Sequence, residues 1–107
     1  MFVRPADDPI LRRVRGALDA LYGDRIERVV LFGSRARGDA QRESDYDIAV
    51  FLRDLNDRWH EFHRLADLRT DFLFDIGIFI EARPFRAGSY TERSPLMHEI
   101  RRDGLDF

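Results

Sequence analysis

Two aspartates separated by a single residue, Asp45 and Asp47, open a segment in which Tyr46, Ile48, Val50 and Leu52 alternate with Asp45, Asp47, Ala49 and Phe51. On a strand, residues i and i+2 share a face with about 6.5 Å between their Cα atoms, so both carboxylates reach one cation. A hard ion such as Mg²⁺ binds one or two carboxylates and completes its octahedron with water and substrate phosphate. Gly33-Ser34 stands before Asp45 with ten residues intervening. Gly33 permits a sharp turn and a close backbone approach, while Ser34 offers a hydroxyl and an amide suited to a terminal phosphate at the start of a short helix. Arg35 and Arg37 add positive charge, but side chains two apart on a helix diverge, so only one of them faces such a site. If two ions bind, one activates an attacking oxygen and the other holds the α-phosphate with its leaving pyrophosphate.

These groups need elements to position them. Asp8-Pro9 reads as a cap and first helical residue, and Ile10, Leu11, Val14, Ala17, Leu18 and Leu21 recur at helical spacing, which predicts a helix over 9–22. Ile26 to Phe32 is a buried strand that stops at Gly33, and a second strand runs from about Asp45 to Leu52. Gly33 to Ser44 holds a turn and a short helix. Trp59, Phe62, Leu65, Ala66 and Arg69 follow a helical period, giving a helix over 56–70, and a third strand is expected from about Phe72 to Ala82. Arg83 to Arg93, with Pro84 and Gly88, reads as a loop. Ser94-Pro95 then begins a last helix through Leu96, Met97 and Ile100, ended by Gly104.

Composition removes several chemistries. All 18 basic residues are arginine, which excludes Schiff-base lysines and the phosphate-loop lysine. The absence of cysteine excludes disulfides and thiolate zinc sites and agrees with a reducing, cytoplasmic setting. A net charge of −2 gives no global field for nucleic acid, so direct nucleic-acid binding is not expected. No apolar run approaches the roughly 20 residues of a membrane span. The 107 residues are enough for one compact domain over 1–107 and too few for two. His60 and His63 lack zinc-protease spacing and read as exposed helix residues; Phe72, Phe74, Phe79 and Phe85 read as core.

Leu31-Phe-Gly-Ser-Arg-Ala-Arg-Gly38 followed by Ser44-Asp-Tyr-Asp-Ile-Ala-Val50 resembles the signature of the DNA polymerase β-type nucleotidyltransferase superfamily, and within it the minimal nucleotidyltransferases, or MNT domains. The resemblance implies an α+β fold with a short mixed or antiparallel sheet, helices mainly on one face, and a site at a sheet edge. It implies ATP as substrate with Mg²⁺, two ions in the full arrangement, held by Asp45, Asp47 and a third acid. Gly33, Ser34, Arg35 and Ser44 would then bind the nucleotide. Asp75, Gly77, Phe79 and Glu81 would share one face of the expected third strand. In the proteins that it resembles the third acid typically follows a glycine by about four residues and is usually aspartate; the resemblance therefore favours Glu81, four residues after Gly77, with Asp75 as the alternative.

Minimal members resemble the antitoxin half of MNT/HEPN pairs, in which the MNT protein adenylylates a HEPN ribonuclease toxin. That likeness implies a protein partner of HEPN type, with a tyrosine hydroxyl as the acceptor by the same analogy, and leaves a homo-oligomer open. Two other functions compete with it. One is a non-catalytic module that inhibits its partner by contact, and the other is a transferase acting on a small molecule such as an antibiotic.

Overall fold

Asp8 accepts hydrogen bonds from the amides of Ile10 (2.8 Å) and Leu11 (3.4 Å), and with Pro9 in the first turn it starts helix α1, Pro9–Tyr22. Such a cap contributes about 1 kcal/mol. The computed structural model describes residues 4–107. Leu11, Val14, Leu18 and Tyr22 form the buried stripe of α1, as the spacing predicts. Strand β1, Ile26–Phe32, follows and pairs antiparallel with β2, Tyr46–Leu52. Between them lies the four-residue helix α2, Ser34–Arg37.

β2 pairs in parallel with β3, Ile80–Arg86, and a parallel neighbour requires a long crossover rather than a hairpin. Helix α3, Arg58–Ile76, is that crossover, capped by Asp57, whose carboxylate accepts from the His60 amide at 3.1 Å. Helix α4, Pro95–Asp103, is capped by Ser94, which accepts from the Met97 amide at 3.1 Å. A two-residue strand β4, Leu105–Asp106, closes the mixed sheet in the order β3-β2-β1-β4.

The two long helices share one face of this sheet. Leu11, Val14 and Leu18 of α1 and Leu65, Leu68 and Phe72 of α3 pack with Val29, Leu31, Ile48 and Val50. On the opposite face Met97 and Ile100 of α4 pack with Val30, Phe32, Ala49 and Phe51. Both faces of β1 and β2 are therefore covered, which is why these strands read as nearly continuous apolar runs. Glu61 is a charged exception on α3, only 3% exposed, and Arg25 neutralises it at 2.6 Å. The bridge ties α3 to the turn before β1.

Four expectations change. The third strand starts at Ile80, not Phe72, because Leu65, Leu68 and Phe72 continue the helical stripe and Gly77, at φ 69°, terminates α3. Asp75 therefore belongs to the last turn of a helix and shares no strand face with Glu81. Residues 83–86, expected in a loop, extend β3, where Pro84 is tolerated on an edge strand. Only Phe72 and Phe85 of the four phenylalanines join the core; Phe74 and Phe79 are exposed.

Candidate active site

Phe32 at the end of β1 is the register partner of Asp47, and Asp47 is the register partner of Glu81. The turn after β1 and the beginnings of β2 and β3 thus meet at one end of the sheet. The candidate residues fall on the two inner strands and on β3, rather than at one sheet edge as expected. Alternation along β2 sends Tyr46 and Ile48 to the α1/α3 side, and Asp47 to the α4 side with Ala49 and Phe51. Asp47 is half-buried, Asp45 is exposed just ahead of the strand, and the Tyr46 amide donates to the Phe79 carbonyl at 3.0 Å, tying the starts of β2 and β3 together.

Gly33 is buried, at φ 75°, and a Cβ in its place would collide with the Asp47 carboxylate oxygen. Glycine is required here both for its backbone conformation and for the space that Asp47 occupies. Ser34 begins α2 immediately beyond it, and the Gly33 carbonyl accepts from the amides of Ala36 and Arg37, each at 3.1 Å. The Gly33-Ser34 turn and Asp47 therefore lie against each other, although twelve residues separate them in the chain.

The negative charge is concentrated. Burial, and then the neighbouring Asp45 carboxylate, push the Asp47 carboxyl above its usual range; Glu81 and Glu99 push in the same direction and the Arg83 guanidinium opposes them. Glu99 of α4 and Arg83 of β3 belong to this environment, and no local pattern in the sequence marks them, because the sheet and its α4 layer bring them in from distant positions. Among the described residues, no three carboxylate or imidazole side chains are grouped as a finished metal cage. Instead Glu81 accepts from Arg69 of α3 at 2.7 Å.

Arg35 and Ser44 have other partners in this structure. Arg35 donates through Nε to the Ser44 carbonyl (2.9 Å) and through a terminal nitrogen to the Arg42 carbonyl (3.2 Å), and its guanidinium lies 4.2 Å above the Tyr46 ring. The Ser44 hydroxyl accepts from the Gln41 amide at 2.8 Å. The Tyr46 hydroxyl donates to Asp8 at 3.3 Å, linking the segment to α1. These contacts fix the path by which residues 41–46 deliver the acids. Arg37 faces Asp39 (3.2 Å) and Asp103 (3.8 Å).

A glycine-serine turn packed on a strand aspartate, with a second acid nearby and a third in register on the next strand, is the arrangement that the resemblance to nucleotidyltransferases implies. The comparisons agree. The family model described as Polymerase beta, Nucleotidyltransferase matches residues 20–102, and the chain belongs to that family. It is 36% identical over 76 residues to MJ0604 of Methanocaldococcus jannaschii, provisionally named a protein adenylyltransferase; the match covers 71% of this chain and 70% of that one. A second protein of that organism, MJ0141, with the same provisional name, is 35% identical over 46 residues, covering 43% of this chain and 46% of its own length.

Among solved structures, a variant of the toxin-antitoxin complex MntA-HpeT superposes with a TM-score of 0.60 at 17% identity, over 88% of this chain and 69% of the other. A toxin-antitoxin structure with AMP-PNP gives 0.59 at 19% identity, over 88% and 69%. At such identities the superpositions establish the shared fold. Among the described residues, no helix is long and apolar enough to cross a membrane.

Proposed function

We propose that this nucleotidyltransferase moves AMP from ATP to a hydroxyl of a protein partner, as the antitoxin of a toxin-antitoxin pair whose toxin is of the HEPN type, in the cytoplasm. The observation that carries the reading is the position of Asp47, flanked by the Gly33-Ser34 turn on the β1 side and by Glu81 on the β3 side. Ser34 and the neighbouring amides hold the polyphosphate, and Asp45, Asp47 and Glu81 are the acids of the reaction. The provisional names of the M. jannaschii relatives and the AMP-PNP in a toxin-antitoxin structure support adenylyl transfer and a partner protein.

The donor set fits Mg²⁺. Every candidate ligand is a carboxylate oxygen, and the upward push on Asp47 by Asp45, Glu81 and Glu99 is the repulsion that a hard dication relieves. Asp45 and Asp47 would hold it, with Glu81 joining when its carboxylate leaves Arg69. Bound there, the ion supplies charge neutralisation for the α-phosphate and the departing pyrophosphate. The protein's own part is to orient: Gly33 admits the nucleotide close to Asp47, and Arg35, Ser44 and Tyr46 brace the segment carrying the acids.

One observation favours a second reading. The Glu81-Arg69 pair at 2.7 Å diverts the third acid from Asp47, as a non-catalytic module that inhibits by contact would allow. Co-purification with the product of the adjacent gene, addition of ATP and Mg²⁺, and intact-mass measurement of that product separate the two. An increment of AMP supports transfer; a stable complex without any increment supports the binder.

A further inference from the structure

Sheet order and the chemistry of displacement together indicate where the acceptor comes from. Phosphoryl and nucleotidyl transfers place the attacking and leaving oxygens roughly in line on opposite sides of phosphorus. The Gly33-Ser34 turn lies on the β1 side of Asp47, so a triphosphate held at that turn directs its pyrophosphate toward β1. The nucleophile must then approach from the opposite side, over β3. A groove of about 370 Å³ runs beneath α3 along the outer edge of β3, and it reaches the Asp47 side of the sheet around that edge, where Glu81 stands in register with Asp47. Trp59, Phe62, His63, Arg69, Glu81 and Arg83 line it, so it ends at the acid that is in register with Asp47.

The two ends of the groove differ in chemistry. Trp59 and Phe62 are 72% and 42% exposed, and the Trp59 ring meets His63 edge-on at 5.5 Å, forming an aromatic wall with no partner among the described residues. Arg69 and Glu81 mark the other end. Ten helical residues from Trp59 to Arg69 span about 15 Å, the length of four to five extended residues. The exposed Arg83 guanidinium lies along the path.

We propose that this groove docks an extended acidic segment of the partner protein, with the acceptor tyrosine at the Glu81 end and an aromatic anchor about five residues away against Trp59 and Phe62. The proposal rests on the nucleotidyltransferase reading and adds to it the acceptor's surface and sequence chemistry. In the step, the tyrosine oxygen bonds to the α-phosphorus of ATP, the bond to the bridging oxygen of the pyrophosphate breaks, and pyrophosphate leaves. The hydroxyl proton passes to solvent water, and the displaced electron pair leaves on the pyrophosphate.

Trp59 is the single tryptophan, so its emission reports on the groove directly. The probe is a synthetic peptide with a central tyrosine, four alternating acidic residues on each side and a phenylalanine at each end, which serves either chain direction. A saturable change in emission is expected, with affinity falling about tenfold in Phe62→Ala and in Arg83→Glu, or when serine replaces the terminal phenylalanines. Phe74→Ala, an exposed aromatic outside the groove, should bind the peptide as the unaltered chain does.

The proposal is overturned if the peptide does not bind, if a lysine-containing counterpart binds equally, or if Phe62→Ala has no effect. It is equally overturned if a uridine decamer gives the same saturable change, or if emission changes with protein concentration alone, as a second copy covering the groove would produce. Binding of a fluorescent ATP analogue, measured in parallel, judges the nucleotidyltransferase reading separately: its absence alongside intact peptide binding defeats that reading and leaves the groove standing as a peptide site.

Discussion

On the β1 side of Asp47, the site is fixed by short-range geometry: a buried glycine at φ 75°, in contact with the acid, followed at once by the first turn of α2. On the β3 side, a carboxylate in perfect register with Asp47 is held instead by Arg69 of the crossover helix, through partly exposed groups. The first half is preformed and tolerates little change. The second depends on a side chain that can exchange partners, and this difference sets the order in which substitutions should act.

Asp47→Asn should have the largest effect, lowering AMP transfer by at least about 10³-fold while the fold persists, because it removes the charge on which both halves converge. Its stability should move the other way. The folded-state pKa of Asp47 is raised, so the native state binds its proton more tightly than the unfolded chain, and stability falls as pH rises through and above the ordinary carboxylate range. Thermal melts should therefore show the asparagine variant gaining on the unaltered chain at neutral pH and losing that advantage in acid. An active, destabilised Asp47→Asn protein would refute the assignment.

Gly33→Ala tests the preformed half. A methyl group there displaces the Asp47 carboxylate and strains the backbone, so transfer should drop about 10²-fold with a loss of about 1–3 kcal/mol in denaturant titrations. Near-normal transfer would mean that the turn and the acid do not act together. Glu81→Gln probes the adjustable half, with an expected loss of about 10-fold to 10²-fold in kcat. Arg69→Gln should have the smallest consequence, a change of a few-fold at most, since an exposed ion pair contributes little. If Arg69→Gln raises the affinity for Mg²⁺ while Glu81→Gln lowers it, the exchange of partners is supported; equal losses from both would make the pair purely structural.

The same contrast explains what the sequence discloses. Gly33, Ser34, Asp45 and Asp47 are legible as candidates because the signal of each lies in its own neighbours: a glycine after a buried strand, and two acids at strand spacing. The helix over 9–22 and the strand Ile26–Phe32 are legible for similar reasons, a proline-marked cap and an unbroken apolar run. The region from Phe72 to Ala82 misleads because Phe72, Phe74 and Ile76 satisfy period 2 while Leu65, Leu68 and Phe72 satisfy period 3.6, and packing under the sheet selects the helix. Glu81 is legible as a candidate acid, but its partner is not, since Arg69 lies twelve residues away and meets it only after the crossover folds back. Arg83, Glu99 and β4 are invisible locally for the same reason.

Calorimetric titration with a non-hydrolysable ATP analogue tests the central claim most directly, comparing the unaltered chain with Asp47→Asn in the presence and absence of Mg²⁺. The account predicts binding that requires the cation and disappears in the variant. Binding that ignores Mg²⁺, or survives undiminished without the Asp47 charge, would contradict it.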